Sequence, residues 1–134
     1  MKGAAAGDRA LNAVIVDSSF ADIYPLLQHN WKTASGLPDI FLPSTLLMAR
    51  LLVGCDISSS QPVKEIVKIP SRSLLIIHGK SDRLVPSSNA YQLKAVVPSA
   101  EFWEIPHADH GETYGANPAL YVERIVNFLE QSLP

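Results

Sequence analysis

Apolar positions fall in a few short, dense runs separated by polar turns. Ala13-Val14-Ile15-Val16 is continuous, rich in β-branched side chains, and ends at Asp17-Ser18-Ser19. Such an unbroken run reads as a strand covered on both faces, with polar residues at its carboxyl end. Leu74-Leu75-Ile76-Ile77 repeats the design and ends at His78-Gly79-Lys80-Ser81-Asp82. Glu101-Phe102-Trp103-Glu104-Ile105 predicts a third strand, closed by Pro106-His107. Between the second and third, Ser88 to Val97 predicts a helix with Ala90, Leu93, Val96 and Val97 on one face and Pro98 as its stop. After the third, Asn117 caps a helix that begins at Pro118 and carries Val122, Ile125, Val126, Leu129 and Leu133 as an apolar stripe. Strands alternating with helices in this way predict an α/β fold, a parallel three-stranded sheet with covering helices.

Residues 22–69 break that rhythm. They include Pro25, Pro38, Pro43 and Pro62, and they predict two short helices, one from the Ser44 cap to the Gly54 stop and one from Pro62 to Lys68. The first is apolar nearly all round, so it needs cover on more than one side. No repeat, low-complexity tract or linker marks a boundary, so 22–69 reads as a helical roof, or cap-like excursion, inside one domain spanning 1–134. An excursion at the carboxyl edge of a parallel sheet commonly covers a pocket. Trp31, Phe41, Leu46, Leu47 and Leu51 are expected to pack in that roof, with the lining of an acyl pocket as the alternative.

Composition narrows the class. The 134 residues carry 11 Lys and Arg against 13 Asp and Glu, a net charge of −2, and 18% are charged against 47% hydrophobic. Disorder requires the opposite balance, and the near-neutral charge with no basic run argues against a nucleic-acid footprint. At 14.6 kDa, surface scaling leaves roughly 7,000 Å² exposed of roughly 21,000 Å², enough burial for one core. The low charge is unusual for so small a chain. Cys55 is the single cysteine, so no intramolecular disulfide forms, and its apolar flanks predict a buried thiol. Asp8 and Arg9 interrupt any signal-like apolar segment, and Arg50 breaks the Thr45–Cys55 run well short of the roughly 20 residues of a bilayer span. A soluble, cytoplasmic protein is expected.

Ligands of open α/β sheets bind at the carboxyl ends of the strands. Those ends carry Asp17, Ser18 and Ser19, then Asp82, then His107, Asp109 and His110. A carboxylate from one strand end and an imidazole from its neighbour form the orienting and proton-accepting part of a nucleophile triad. Simpler readings stand beside this one. Asp82 follows Lys80-Ser81 and suits a turn, and His110 suits a loop. His107, Asp109, His110 and Glu112 include the residue types that hold zinc, but their loop lacks ligand spacing, so no metal or cofactor is expected. His78 is expected to pack under the acid loop, and Glu112 and Tyr114 to be solvated.

Ser73 to Pro86, with His78-Gly79-Lys80-Ser81-Asp82-Arg83-Leu84-Val85-Pro86 at its end, resembles the strand-plus-acid segment of α/β-hydrolase serine hydrolases. Glu104 to Glu112, with His110 before Gly111, resembles the same family's histidine loop. The resemblance runs from about Ala13 to the C-terminus, in the family's order of acid before histidine. It implies Asp82 as triad acid, His110 as base, and a small acyl substrate. The family's nucleophile stands in a G-x-S-x-G turn, and this sequence has none. Ala4-Ala5-Ala6-Gly7 reads as the tail of the helix after that turn, which puts the serine ahead of Met1. Ser18 and Ser19 end a neighbouring strand but lack flanking glycines.

The chain is therefore expected to be the C-terminal half of an α/β-hydrolase fold. It would retain acid and base, lack the nucleophile, and be inactive in ester, thioester or peptide hydrolysis when alone. The competing expectation is a non-catalytic binding or self-association module. In either case the first strand's outer edge lacks its family neighbour. That predicts pairing with a missing N-terminal half or with a second copy as a dimer.

Overall fold

The computed structural model describes residues 11–69 and 72–133. The segment Met1–Arg9, including the expected helix tail at Ala4–Gly7, lies outside them. β1 (Ala13–Asp17), β2 (Ser73–Gly79) and β3 (Glu101–Ile105) form one parallel sheet in the order β1-β2-β3. Val14 stands opposite Leu74 and Asp17 opposite Ile77, while Leu75 stands opposite Glu101 and Gly79 opposite Ile105. That register brings the three carboxyl ends to one edge.

Alternation along the strands divides the core between two faces. Leu74 and Ile76 point to one, where they pack with Ile66, Ala90, Leu93 and Phe102. Leu75 and Ile77 point to the other, where they pack with Ile105, Phe128, Ile125 and Leu129. The helices supplying these partners are α3 (Pro62–Ile66) and α4 (Ser88–Val96) on the first face and α6 (Pro118–Ser132) on the second. β2, between two strands and under both helix layers, is buried from Leu74 to Gly79. β1 is only half-buried from Ala13 to Val16, because among the described residues it pairs with β2 alone. The both-face burial expected of β1 is thus corrected to partial burial.

Asn117 caps α6 as the sequence predicts, its side chain accepting from the Leu120 amide at 3.2 Å. The stripe facing the core is shifted from the expected one. Tyr121, Ile125, Phe128 and Leu129 pack inward, whereas Val122, Val126 and Leu133 are exposed. In α4, Ala90 and Leu93 are buried but Val96 is exposed.

The segment between β1 and β2 holds one more helix than expected. α1 (Ile23–Ser35) is capped by Asp22, whose carboxylate accepts from the Tyr24 amide at 3.0 Å, and it ends at Gly36 with φ 71°. Pro25 sits in its first turn, where no intrahelical donor is lost. α2 (Leu42–Val53) begins two residues earlier than the Ser44 cap, and the Ser44 hydroxyl donates back to the Phe41 carbonyl. Of its residues only Leu42 is buried, while Leu47, Met48, Leu51 and Leu52 stay exposed. Cys55, just past its end, is exposed rather than buried. Its apolar flanks belong to a helix with little cover, so they do not enclose it. No single described helix is long and apolar enough to cross a membrane.

Candidate active site

The acid loop leaves β2 at Gly79 and turns back at once, the Asp82 amide donating to the Gly79 carbonyl at 3.2 Å. Asp82 is buried. Its Oδ1 accepts from the Leu84 amide at 3.0 Å and the Val85 amide at 2.7 Å. This is the backbone capture that makes aspartate a turn former. Its Oδ2 is left for a different partner, the His110 Nδ1 at 2.9 Å. The backbone turn thus occupies one oxygen of the carboxylate and the His110 ring the other.

His110 reaches that position because the loop after β3 lies directly on the end of β2. The Lys80 amide donates to the Ile105 carbonyl at 2.9 Å and the Ser81 amide to the Ala108 carbonyl at 3.1 Å. Gly79 is what permits the approach, since a Cβ there would lie 2.4 Å from the Ala108 carbonyl oxygen. His107 turns the chain with φ 62°, and Gly111 follows at φ 73°. Asp109 pins the loop to the acid side, accepting from the Arg83 amide at 3.0 Å and the Arg83 Nε at 2.6 Å. It also accepts from the His110 amide at 2.8 Å. The donated Arg83 and His110 amides, then the guanidinium, hold its pKa down at about 2. The Glu112 carboxylate accepts from the Asp109 amide at 3.2 Å, so Glu112 is engaged rather than merely solvated.

A second tether holds the far side of the loop. Thr113, which opens α5 (Thr113–Ala116), donates through Oγ1 to Asp17 Oδ2 at 2.7 Å. The Tyr121 hydroxyl donates to the same oxygen at 2.8 Å. Burial, and then that hydrogen bond, push the Tyr121 hydroxyl up to about 12. Asp17 is thus a strand-end carboxylate that secures the histidine loop to β1.

Ser18 has φ 50° and its hydroxyl donates to Asp17 Oδ1 at 2.9 Å. The Ser19 hydroxyl donates to the Phe20 carbonyl. Neither is directed to His110 in this arrangement. Both line, with His110, a cavity of about 440 Å³ whose apolar wall includes Ile23, Leu26 and Leu27 of α1. Asn30 of α1 ties this wall to the acid loop by donating to the Leu84 carbonyl at 2.8 Å. The wall is therefore α1, and Trp31, Phe41, Leu46, Leu47 and Leu51, the alternative lining, are not among the residues around this cavity. Leu46 and Leu47 border a separate hollow near Arg50, and Trp31 donates to the Pro38 carbonyl.

The Asp82 bond places a proton on His110 Nδ1 and leaves Nε2 with its lone pair, an arrangement suited to accepting a proton. Among the described residues no cluster of three or more His, Cys, Asp and Glu is placed to hold a metal ion. Sequence reasoning missed α1, the Arg83–Asp109 pair and the Asp17 tether. Asp22 with Gly36 was a legible signal for α1, whereas the two tethers join residues far apart in the chain.

No family model matches this sequence, and no curated protein matches it. Among solved structures it is similar to an esterase of Pyrococcus furiosus, with a TM-score of 0.72 and 18% identity over 96% of this chain and 48% of that one. It is also similar to the α/β-hydrolase GrgF of a Penicillium species, with a TM-score of 0.64 and 14% identity over 96% of this chain and 58% of that one. The chain thus has an α/β-hydrolase fold and spans about half the length of the structures it matches. That agrees with its motifs being those of the C-terminal half.

Proposed function

We propose that this chain supplies the acid–base half of a serine-type hydrolase acting on carboxylic esters or related acyl bonds. His110 is the base and Asp82 the residue that orients it. The observation supporting this reading most directly is the 2.9 Å bond between His110 Nδ1 and an Asp82 carboxylate already fixed by two backbone amides. A hydroxyl nucleophile from outside the described residues completes the site. His110 Nε2 takes its proton as the oxygen attacks the acyl carbon, and Asp82 stabilises the imidazolium formed. His110 then returns that proton to the departing alcohol, leaving an acyl-enzyme, and water repeats the sequence to release the acid. The cavity beside His110 receives the apolar part of a small acyl substrate.

Without that nucleophile no acyl-enzyme forms, so the chain alone is inactive. The free edge of β1 pairs with a strand of the N-terminal half or, failing that, of a second copy. Exposed Leu47, Met48, Leu51 and Leu52 on α2 favour a second reading, a non-catalytic self-association module built on the same fold. A cytoplasmic location suits a chain with the single Cys55.

The experiment is reaction with a fluorophosphonate that labels activated serines, on the chain alone and together with the polypeptide encoded immediately upstream. Labelling only in the joined or mixed form, at a serine in a G-x-S-x-G turn and dependent on His110, is expected. Absence of an upstream G-x-S-x-G, together with a stable dimer in sedimentation, favours the association module instead.

A further inference from the structure

His78 takes no part in the proton transfers above, yet it is a buried residue in contact with the acid loop. It is fully buried at the penultimate position of β2. Its Nε2 lies 2.8 Å from the Val85 carbonyl oxygen. A carbonyl only accepts, so Nε2 carries the proton and donates, which fixes the tautomer. The other ring nitrogen, Nδ1, has no hydrogen-bond partner among the described residues. A leucine of similar bulk would fill the same space without any buried polar atom to satisfy. Packing alone therefore does not account for an imidazole at this position. What the imidazole adds is its single donated hydrogen bond.

That bond lands on the residue that orients the acid. Val85 offers its amide to Asp82 Oδ1 at 2.7 Å while its carbonyl is held by His78. His78 Nε2 also lies 3.6 Å from Asp82 Oδ2, the oxygen that His110 uses. The carboxylate thus stands between two imidazoles. His110 bonds to it directly, and His78 sets the turn that aims it. We infer that His78 is a positioning residue for the Asp82–His110 pair, acting through the Val85 carbonyl. This rests on reading that pair as the acid and base of the site.

Two substitutions separate positioning from packing. His78→Leu keeps the bulk and removes the donor, whereas His78→Gln retains an amide N–H able to reach the Val85 carbonyl. The readout is the Nδ1 proton of His110 in the 15N-histidine-labelled protein, a low-field resonance when bonded to a carboxylate, assigned by its loss in Asp82→Asn. Unfolding by urea is measured alongside. We expect the resonance to be lost or broadened in His78→Leu and kept in His78→Gln, with His78→Leu unfolding at no lower urea concentration than His78→Gln. A wild-type resonance in a folded His78→Leu protein overturns the inference. So does its loss in a folded His78→Gln protein, which remains decisive if His78→Leu fails to fold. A wild-type spectrum with no such resonance overturns the Asp82–His110 pair itself, and the role of His78 with it, an outcome distinct from either variant's failure.

Discussion

β2 and α2 are both apolar stretches, and their surroundings differ sharply. β2 buries every residue from Leu74 to Gly79, with a strand on each side and helices over both faces. α2 buries only Leu42, and Leu52 near its end is 79% exposed. Apolar composition alone does not locate a core. Burial depends on how many neighbours the topology supplies, and the centre of a sheet receives four layers of contact where a peripheral helix receives one or two. The proposed site follows the same division. Asp82, His110 and the buried His78 all attach to the ends of β2 and β3, and only the cavity wall is drawn from the segment that contains α2.

The largest expected contrast lies in stability. Ile77→Ala, at a fully buried position, should cost about 2–5 kcal/mol through lost burial and a cavity. Leu52→Ala should stay within about 0.5 kcal/mol. Urea midpoints that moved equally would break the comparison and imply hidden cover over α2. Next comes Gly79→Ala, where the added methyl meets the Ala108 carbonyl. It should cost about 1–3 kcal/mol and displace His110 from Asp82, whereas Gly115→Ala, with open space around it, should leave the pair in place.

A smaller effect appears in acid. Asp109 has a pKa held at about 2, below its unfolded value of about 4. A depressed carboxylate lends stability that is fully present above the unfolded value and is lost as pH falls through the folded one. Denaturation between about pH 4 and pH 2 should therefore loosen the histidine loop, and Arg83→Ala should move that loss to higher pH. Equal acid profiles for Arg83→Ala and the wild type would contradict the tether. The smallest effect is spectroscopic. Of four tyrosines, Tyr121 should form its phenolate near pH 12, and Asp17→Asn should bring that absorbance change to lower pH. Because the folded value is raised, this contribution is present below about pH 10 and disappears as pH rises through about 12.

How much was legible in the sequence followed from the range of the contacts. The strands, the Asn117 cap and the turn chemistry of Asp82 are local, and local patterning described them. The pairing of His110 with Asp82 is long-range, yet two short motifs in a fixed order were enough to anticipate the contact. α6 shows the limit of periodicity. Val122, Val126 and Leu133 give a stripe as regular as Tyr121, Ile125 and Phe128, and only the sheet decides which turns inward. Cys55 and α2 fail for the related reason that apolar sequence predicts burial only where something exists to bury it. The Asp17–Thr113–Tyr121 tether joins positions about a hundred residues apart, and no local signal marks it.

Asp82 and His110 are proposed as an acid and base that act with a nucleophile from outside the described residues. Hydrolysis of p-nitrophenyl acetate by the 134-residue chain, by Asp82→Asn and by His110→Ala tests this most directly. The wild type should turn over no faster than either variant. Sustained turnover by the wild type that both substitutions abolish would contradict it, because the chain would then hold a working nucleophile of its own.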